Sequence, residues 1–286
     1  MQIRTDLAVE SREFVQGLRG VTCRTVRRGA IEETHVSVET EEAARALDKD
    51  VGRYITLCHP DLHHAGPRER LSLSRSLAGA LRPLLPPEGD LLVIGLGNRL
   101  ITADALGSRV LESLLITRHM KDAVVDDVRG RLRGVCAVAP GVLGVTGLET
   151  AEVVHGIAER ARPAAVIAID ALAARDSSRI CTTIQITDTG IRPGSGVGNH
   201  RAGLTAETLG VPVIAIGVPM VVYAAVIARD ALGLLLKDMG MEEEAHEQAV
   251  DELVGRVARL IADGLNLALQ PELSLEEIQY LSHDGP

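Results

Sequence analysis

Aromatic side chains are almost absent from this chain. Its 286 residues include one Phe, three Tyr and no Trp. A core must then be filled by Leu, Val, Ile and Ala, and the stacking platforms that hold single-stranded nucleic acid are missing. An excess of positive charge is missing too. Thirty Lys and Arg stand against 39 Asp and Glu, for a net charge of −9. That balance excludes a general grip on phosphate backbones and suits a basic partner better. Cys23, Cys58, Cys136 and Cys181 are far apart and form no Cys-x-x-Cys pair. They read as reduced thiols in a core, with neither a disulfide framework nor a zinc site. The N-terminus lacks the apolar segment of a secretion signal. The longest apolar candidate for a membrane span, near Val211–Ala228, is broken by Pro212, Gly217 and Pro219. A cytoplasmic protein without membrane contact is expected.

What is present is a strand-and-helix alternation. Residues 1–20 are mixed and charged and are expected to wrap the surface. Val21–Arg28 and Ile31–Val38 flank Gly29-Ala30 as a hairpin, and Tyr54–Cys58 forms a further short strand. Leucines at helical spacing over Leu71–Leu85 stop at Pro86-Pro87. Leu91–Leu96, Val135–Val138, Ala165–Ile169 and Val211–Val218 are continuous apolar runs, as strands buried on both faces should be. Thr182–Thr187 alternates polar and apolar and reads as half exposed. Helices are expected over about Asp104–Arg118, Thr150–Arg162, Val222–Met239, Glu242–Leu269 and Leu275–Leu281. The pattern predicts one α/β domain spanning residues 1–286: a mainly parallel sheet with helices on both faces, plus a β-rich N-terminal excursion.

Ligands of open α/β sheets bind beyond the carboxyl ends of the strands. Three polar segments fall there: Gly95–Asp104, Asp170–Arg175 and Asp188–His200. The first is not a dinucleotide fingerprint, because a third glycine is missing and Asp104 at the helix start would repel a pyrophosphate. Asp104 has two readings, helix-start chemistry or a working acid. Asp170, at the end of an apolar run, equally caps a turn or acts as an acid, with Arg175 as a nearby partner. The third segment is too rich in glycine for a regular element and is suited to presenting backbone N–H groups. His59, Asp61, His63 and His64 invite a metal reading, yet Pro60 breaks any regular spacing and no second ligand cluster accompanies them. Nothing matches a nucleophile elbow, and no metal or cofactor is expected.

Taken together the segments resemble one family, the germination proteases of spore-forming bacteria. The resemblance runs through Arg4-Thr5-Asp6-Leu7-Ala8-Val9-Glu10, Gly95-Leu96-Gly97-Asn98, Thr102-Ala103-Asp104-Ala105-Leu106-Gly107 and Ala168-Ile169-Asp170-Ala171-Leu172-Ala173-Ala174-Arg175. It continues in Thr182–Gly190, Pro193-Gly194-Ser195-Gly196-Val197-Gly198-Asn199 and Glu207–Gly217, in order along the chain. It implies an endopeptidase that degrades small acid-soluble spore proteins in the spore core during germination. It also implies a homotetramer and a fold related to the hydrogenase maturation proteases. The catalytic pair it implies falls on Asp104 and Asp170. Gly97, Asn98, Ser195, Gly196, Gly198 and Asn199 are then expected to contact substrate. Two carboxylates can hydrolyse a peptide when one is ionised to activate water and the other is protonated to polarise the carbonyl. Two other readings stay open: a metal-dependent relative with His200 completing the site, and a non-catalytic relative that holds an extended or basic peptide.

Two features depart from the family pattern. Tyr223 stands where an acidic residue is expected after Val221-Val222. Only Met1-Gln2-Ile3-Arg4 precedes Thr5, whereas family members carry a propeptide there. Four extended residues reach about 13 Å, too little to fold back over a cleft. The chain is therefore expected to be competent with its N-terminus intact. Intact-mass measurement alongside a peptidase assay checks this; activity that appears only after loss of an N-terminal fragment would refute it.

Overall fold

The computed structural model describes residues 5–13, 17–60, 62, 65–122, 130–192, 202–222 and 243–283. It contains eight strands: β1 (Val21–Arg28), β2 (Ile31–Val38), β3 (Gly52–Cys58), β4 (Leu91–Gly95), β5 (Val135–Val138), β6 (Ala165–Ala174), β7 (Thr183–Thr187) and β8 (Val213–Val222). They form one sheet in the order β1-β2-β3-β7-β8-β6-β4-β5. The helices used below are α1 (Ala8–Glu13), α2 (Glu41–Leu47), α3 (Pro67–Leu81), α4 (Leu106–Glu112), α5 (Thr150–Ala161), α6 (Glu243–Leu269) and α7 (Leu275–His283). The helix expected over Val222–Met239 lies outside the described residues apart from Val222, which belongs to β8.

The expectation of a mainly parallel sheet is corrected. Three strand pairings are parallel (β4–β5, β4–β6, β6–β8) and four are antiparallel (β1–β2, β2–β3, β3–β7, β7–β8). The N-terminal strands are not an excursion. They extend the same sheet, because β7 reverses direction beside β8 and offers its far edge to β3.

Local chemistry explains the main elements. The strand β4, Leu-Leu-Val-Ile-Gly, is buried along its whole length. Its odd residues Leu91 and Val93 join the cluster shared with α3, α4 and α6, and its even residues Leu92 and Ile94 join the cluster shared with α5. Such two-sided cover is why its apolar run is unbroken. Helix α3 begins with Pro67, where a missing N–H costs nothing, and Glu69 Oε2 accepts from Gly66 N at 2.8 Å. Helix α2 starts from Thr40, whose hydroxyl accepts from Ala43 N at 3.2 Å. Helix α5 stops at Arg162, which takes a left-handed conformation. Helix α4 is shorter than expected, ending at Glu112, where Ser113 leaves the helical conformation.

Two further expectations fail for one reason. Thr182–Thr187 was expected to be half exposed, but Thr182 and every residue of β7 are buried. Residues 1–20 were expected at the surface, but Leu7, Ala8 and Glu10 are fully buried. The polar face of β7 is covered by that N-terminal segment: Gln185 Oε1 accepts from Ala8 N at 2.7 Å and Gln185 Nε2 donates to Asp6 O at 3.1 Å. A buried amide with its hydrogen bonds made costs little, so a polar alternation need not mean exposure. The four cysteines are free; Cys181 is buried and the other three are half-buried. No described helix is long and apolar enough to cross a membrane.

Tyr54 generates a pH expectation. Its ring packs beside Val36, Val38 and Leu47, and its hydroxyl donates to Asp50 O at 2.8 Å. Burial, the leading cause, pushes its pKa up from 10.0 to about 12. The unfolded phenol ionises first, so this contribution is complete below pH 10 and is lost as pH rises toward about 12. Chemical denaturation at stepwise higher pH is expected to show a steeper alkaline loss in the parent than in Tyr54→Phe, by about 1–3 kcal/mol at the limit. Equal slopes would remove Tyr54 as the cause.

Candidate active site at the ends of β4 and β6

The chain leaves β4 toward β5 on one side and leaves β6 toward β7 and β8 on the other. The carboxyl ends of β4 and β6 therefore flank the point where the winding of the sheet reverses, the usual ligand crevice of such folds. The two strands stop at different heights. Their last paired residues are Gly95 and Ile169, and Leu96 N still donates to Ile169 O at 2.8 Å. Strand β6 then continues to Ala174, paired with β8 on its other side. Asp170 thus lies inside β6 and not at its end, as the sequence had suggested. The polar residue interrupts the apolar run, but the ladder to β8 carries the strand past it.

Beyond Ile169 the main-chain groups that face the vacated β4 side need other partners. In a strand these groups alternate, so Ile169, Ala171 and Ala173 point the same way. Ala173 is taken by the N-terminal segment: Asp6 N donates to Ala173 O at 2.9 Å, and Asp6 Oδ2 accepts from Ala173 N at 2.8 Å. Ala171 N donates to Asp170 Oδ1 at 2.9 Å. The Asp170 carboxylate, only 7% exposed as a residue, is therefore held at the edge of β6 by that N–H.

Asp104 reaches the same edge from the other element. It closes a 3-10 turn, Thr102–Asp104, that leads through Ala105 into α4 and packs against β6 and β8. Its Oδ2 accepts from Asn98 N at 2.7 Å, which folds the carboxylate back over the end of β4. Asn98 in turn shapes the loop, its Oδ1 accepting from Leu100 N at 3.0 Å. Two glycine contacts permit this closeness. Gly97 has φ +97°, and a Cβ there would collide with Asp104 O. A Cβ on Gly95 would stand 2.5 Å from Gly107 O, so β4 and α4 touch backbone to backbone.

The structure thus brings Asp104, Gly97 and Asn98 into direct contact, and holds Asp170 in the neighbouring strand β6 through the N–H of Ala171. Ser195, Gly196, Gly198 and Asn199 lie outside the described residues, as do His200, Asp61, His63, His64 and Tyr223. The residues bounding the glycine-rich segment are described. Ile191 and Leu204 form a bridge with N···O distances of 2.9 and 2.8 Å. Leu204 belongs to the apolar cluster of Val166 and Ala168, and Ile191 packs on both that cluster and the one holding Leu172. Asp170 shares the strand parity of Val166, Ala168 and Leu172, so the segment's two ends sit on its face of the sheet. His59 is buried, and neither ring nitrogen has a hydrogen-bond partner among the described residues. No group of three or more His, Cys, Asp or Glu arranged for a metal occurs among those residues. Arg175, considered as a partner for Asp170, makes an ion pair with Glu13 at 2.8 Å.

Sequence reasoning missed the residues that brace β6. Glu10 is fully buried and accepts from Arg175 N at 2.9 Å and Asp176 N at 3.0 Å, with Arg179 Nε 3.4 Å away. Thr5 Oγ1 also donates to Glu10. Lys49 Nζ donates to Thr5 O at 3.0 Å, and burial lowers its pKa below the usual lysine value. The available signal was the pair of acids bracketing Leu7-Ala8-Val9, apolar residues in an otherwise charged stretch.

Comparison with known proteins identifies the family of the chain. The germination protease family model matches residues 2–254. The chain belongs to the germination protease family. The germination protease of Clostridium tetani is 39% identical, with 97% of this chain and 98% of that protein covered. That of Clostridium perfringens is 40% identical, with 96% and 98% covered. A Geobacillus germination protease is 43% identical over 84% of this chain and 69% of its own length.

The glycine contact generates a test. Gly97→Ala is expected to cost about 1–3 kcal/mol for the left-handed backbone alone, and to displace Asp104 and abolish peptidase turnover. Gly156→Ala, with open space around its added methyl, is expected to leave both unchanged. Urea unfolding and a peptidase assay on the two variants check this; full turnover by Gly97→Ala would refute the contact's role.

Proposed function

We propose that this chain is an endopeptidase that begins the breakdown of small acid-soluble spore proteins in the germinating spore, with Asp104 and Asp170 as its catalytic pair. Membership of a peptidase family supports hydrolysis of a protein substrate. The observation that carries the assignment of the pair is the edge of β6. Asp170 is held at that edge by Ala171 N, and Asp104 is folded by Asn98 N over the end of the neighbouring β4. One ionised carboxylate takes a proton from the attacking water. The other, protonated, donates to the scissile carbonyl oxygen; as the tetrahedral diol collapses, the first carboxylate passes the water's proton to the leaving amine and the second takes a proton back from the diol hydroxyl. No metal or cofactor enters this scheme. The half-buried Gly97-Asn98 turn borders the pair, and the glycine-rich segment that includes Ser195, Gly196, Gly198 and Asn199 supplies further backbone donors to an extended substrate. A homotetramer acting in the spore core completes the reading.

Incubation of the purified chain with a small acid-soluble spore protein, followed by mass spectrometry of the fragments, tests the activity. Discrete internal cleavage is expected, with a bell-shaped pH dependence of kcat/KM. Asp104→Asn and Asp170→Asn are each expected to reduce kcat by at least about a hundredfold with the fold retained. Cleavage at near-parent rate by either variant would remove that residue from the mechanism.

A further inference from the structure

The outer edge of the sheet carries charge that the rest of the molecule does not use. Strand β1 pairs with β2 and, among the described residues, with nothing else. Its other rim presents main-chain donors and acceptors, a template for another strand. On one face of this hairpin Thr22 stands opposite Ser37, Arg24 opposite His35, Val26 opposite Glu33 and Arg28 opposite Ile31. That face looks toward α3, because Ile31 joins the core cluster of Leu73 and Leu77. Two adjoining hollows that share Arg28 and Glu33 lie on this face: one of about 440 Å³ lined by the hairpin alone, and one of about 290 Å³ between Arg28, Glu33 and α3. Arg24 lines the first and Arg75 of α3 lines the second.

The charge in this groove is one-sided. Arg24, Arg28 and Arg75 are exposed, and none of their side chains meets a carboxylate among the described residues. The one carboxylate lining the groove, Glu33, is held by His35 Nε2 at 2.7 Å. Three guanidinium groups without a carboxylate among the described residues, beside a strand edge that pairs with none of them, stand out in a chain of net charge −9. Arg24 and Arg28 are four residues apart on the same face, about 13 Å along the strand.

We propose that the β1 edge binds an extended acidic peptide, added as a strand beside β1 with two carboxylates four residues apart against Arg24 and Arg28. Main-chain hydrogen bonds would supply affinity, and the arginine spacing would select the side chains. Arg75 adds a third positive charge at the far wall of the groove. This site lies across β2, β3, β7 and β8 from β6, and it does not depend on the roles given to Asp104 and Asp170.

The test uses the whole chain and a fluorescein-labelled extended peptide with two glutamates four residues apart, read by fluorescence anisotropy. Saturable binding that weakens with salt is expected, and the double variant Arg24→Ser/Arg28→Ser is expected to bind about five- to tenfold more weakly. Amide hydrogen exchange along Val21–Arg28 is expected to slow when the peptide is added. Equal affinity for a peptide with lysines at those positions, unchanged binding by the double variant, or no slowing along β1 would overturn the proposal. Protection of β1 that grows with chain concentration and without peptide would assign the edge to a second copy, and would overturn it as well. Arginines that merely guard the edge against aggregation would give no binding. Peptidase turnover is not part of the readout, so failure here leaves the aspartate reading standing.

Discussion

Strand β6 outlasts its neighbour β4, and the main-chain groups exposed by that mismatch organise the site. A buried backbone N–H or C=O left unpaired costs about 1–3 kcal/mol. The three positions on the vacated side are met in sequence: Ile169 O by Leu96 N, Ala171 N by the Asp170 carboxylate, and Ala173 by both ends of Asp6. The middle position is Ala171, whose N–H is met by the side chain of the residue before it. It is there that a carboxylate is held at the edge of the sheet, next to the turn that carries Asp104.

The same requirement explains the N-terminal segment. Asp6 acts as a one-residue substitute for β4, and Glu10 receives the two main-chain N–H groups that follow β6. Gln185 fixes the segment from below, and Lys49 holds its start. Burying an acid such as Glu10 is normally costly, but Glu10 and the half-buried Asp6 are each matched by backbone donors of β6 or of the turn after it. The segment is thus part of the wall of the crevice and sets how firmly the outer half of β6 is held.

Much of this was legible in the sequence. Val135–Val138 was read with its observed bounds from its unbroken apolar run, although in this edge strand only Val135 is fully buried and the other three residues are half-buried. Asp104 was read as opening a helix; it closes the 3-10 turn two residues before α4 begins at Leu106. The family motifs led to the right family. What the sequence hid were partnerships across the fold. Asp170 looked like a strand terminus because a pairing partner on one side cannot be seen in a residue pattern. The alternation in Thr182–Thr187 looked like a wet face because the segment covering it lies far away in the chain, 177 residues apart at the Ala8–Gln185 contact. Asp6 and Glu10 looked like surface charge because their acceptors' partners are backbone groups, which every sequence has and none displays.

The central claim is that Asp104 and Asp170 share one crevice at the end of β4. A double-mutant cycle on stability tests it without any assumption about substrate. Urea unfolding of the parent, Asp104→Asn, Asp170→Asn and the double variant gives the coupling between the two side chains directly. The account predicts a non-additive cycle, with a coupling of at least about 0.5–1 kcal/mol, because each replacement alters the same local charge and hydrogen bonding. Additivity within about 0.3 kcal/mol would place the two carboxylates in separate environments and contradict the account.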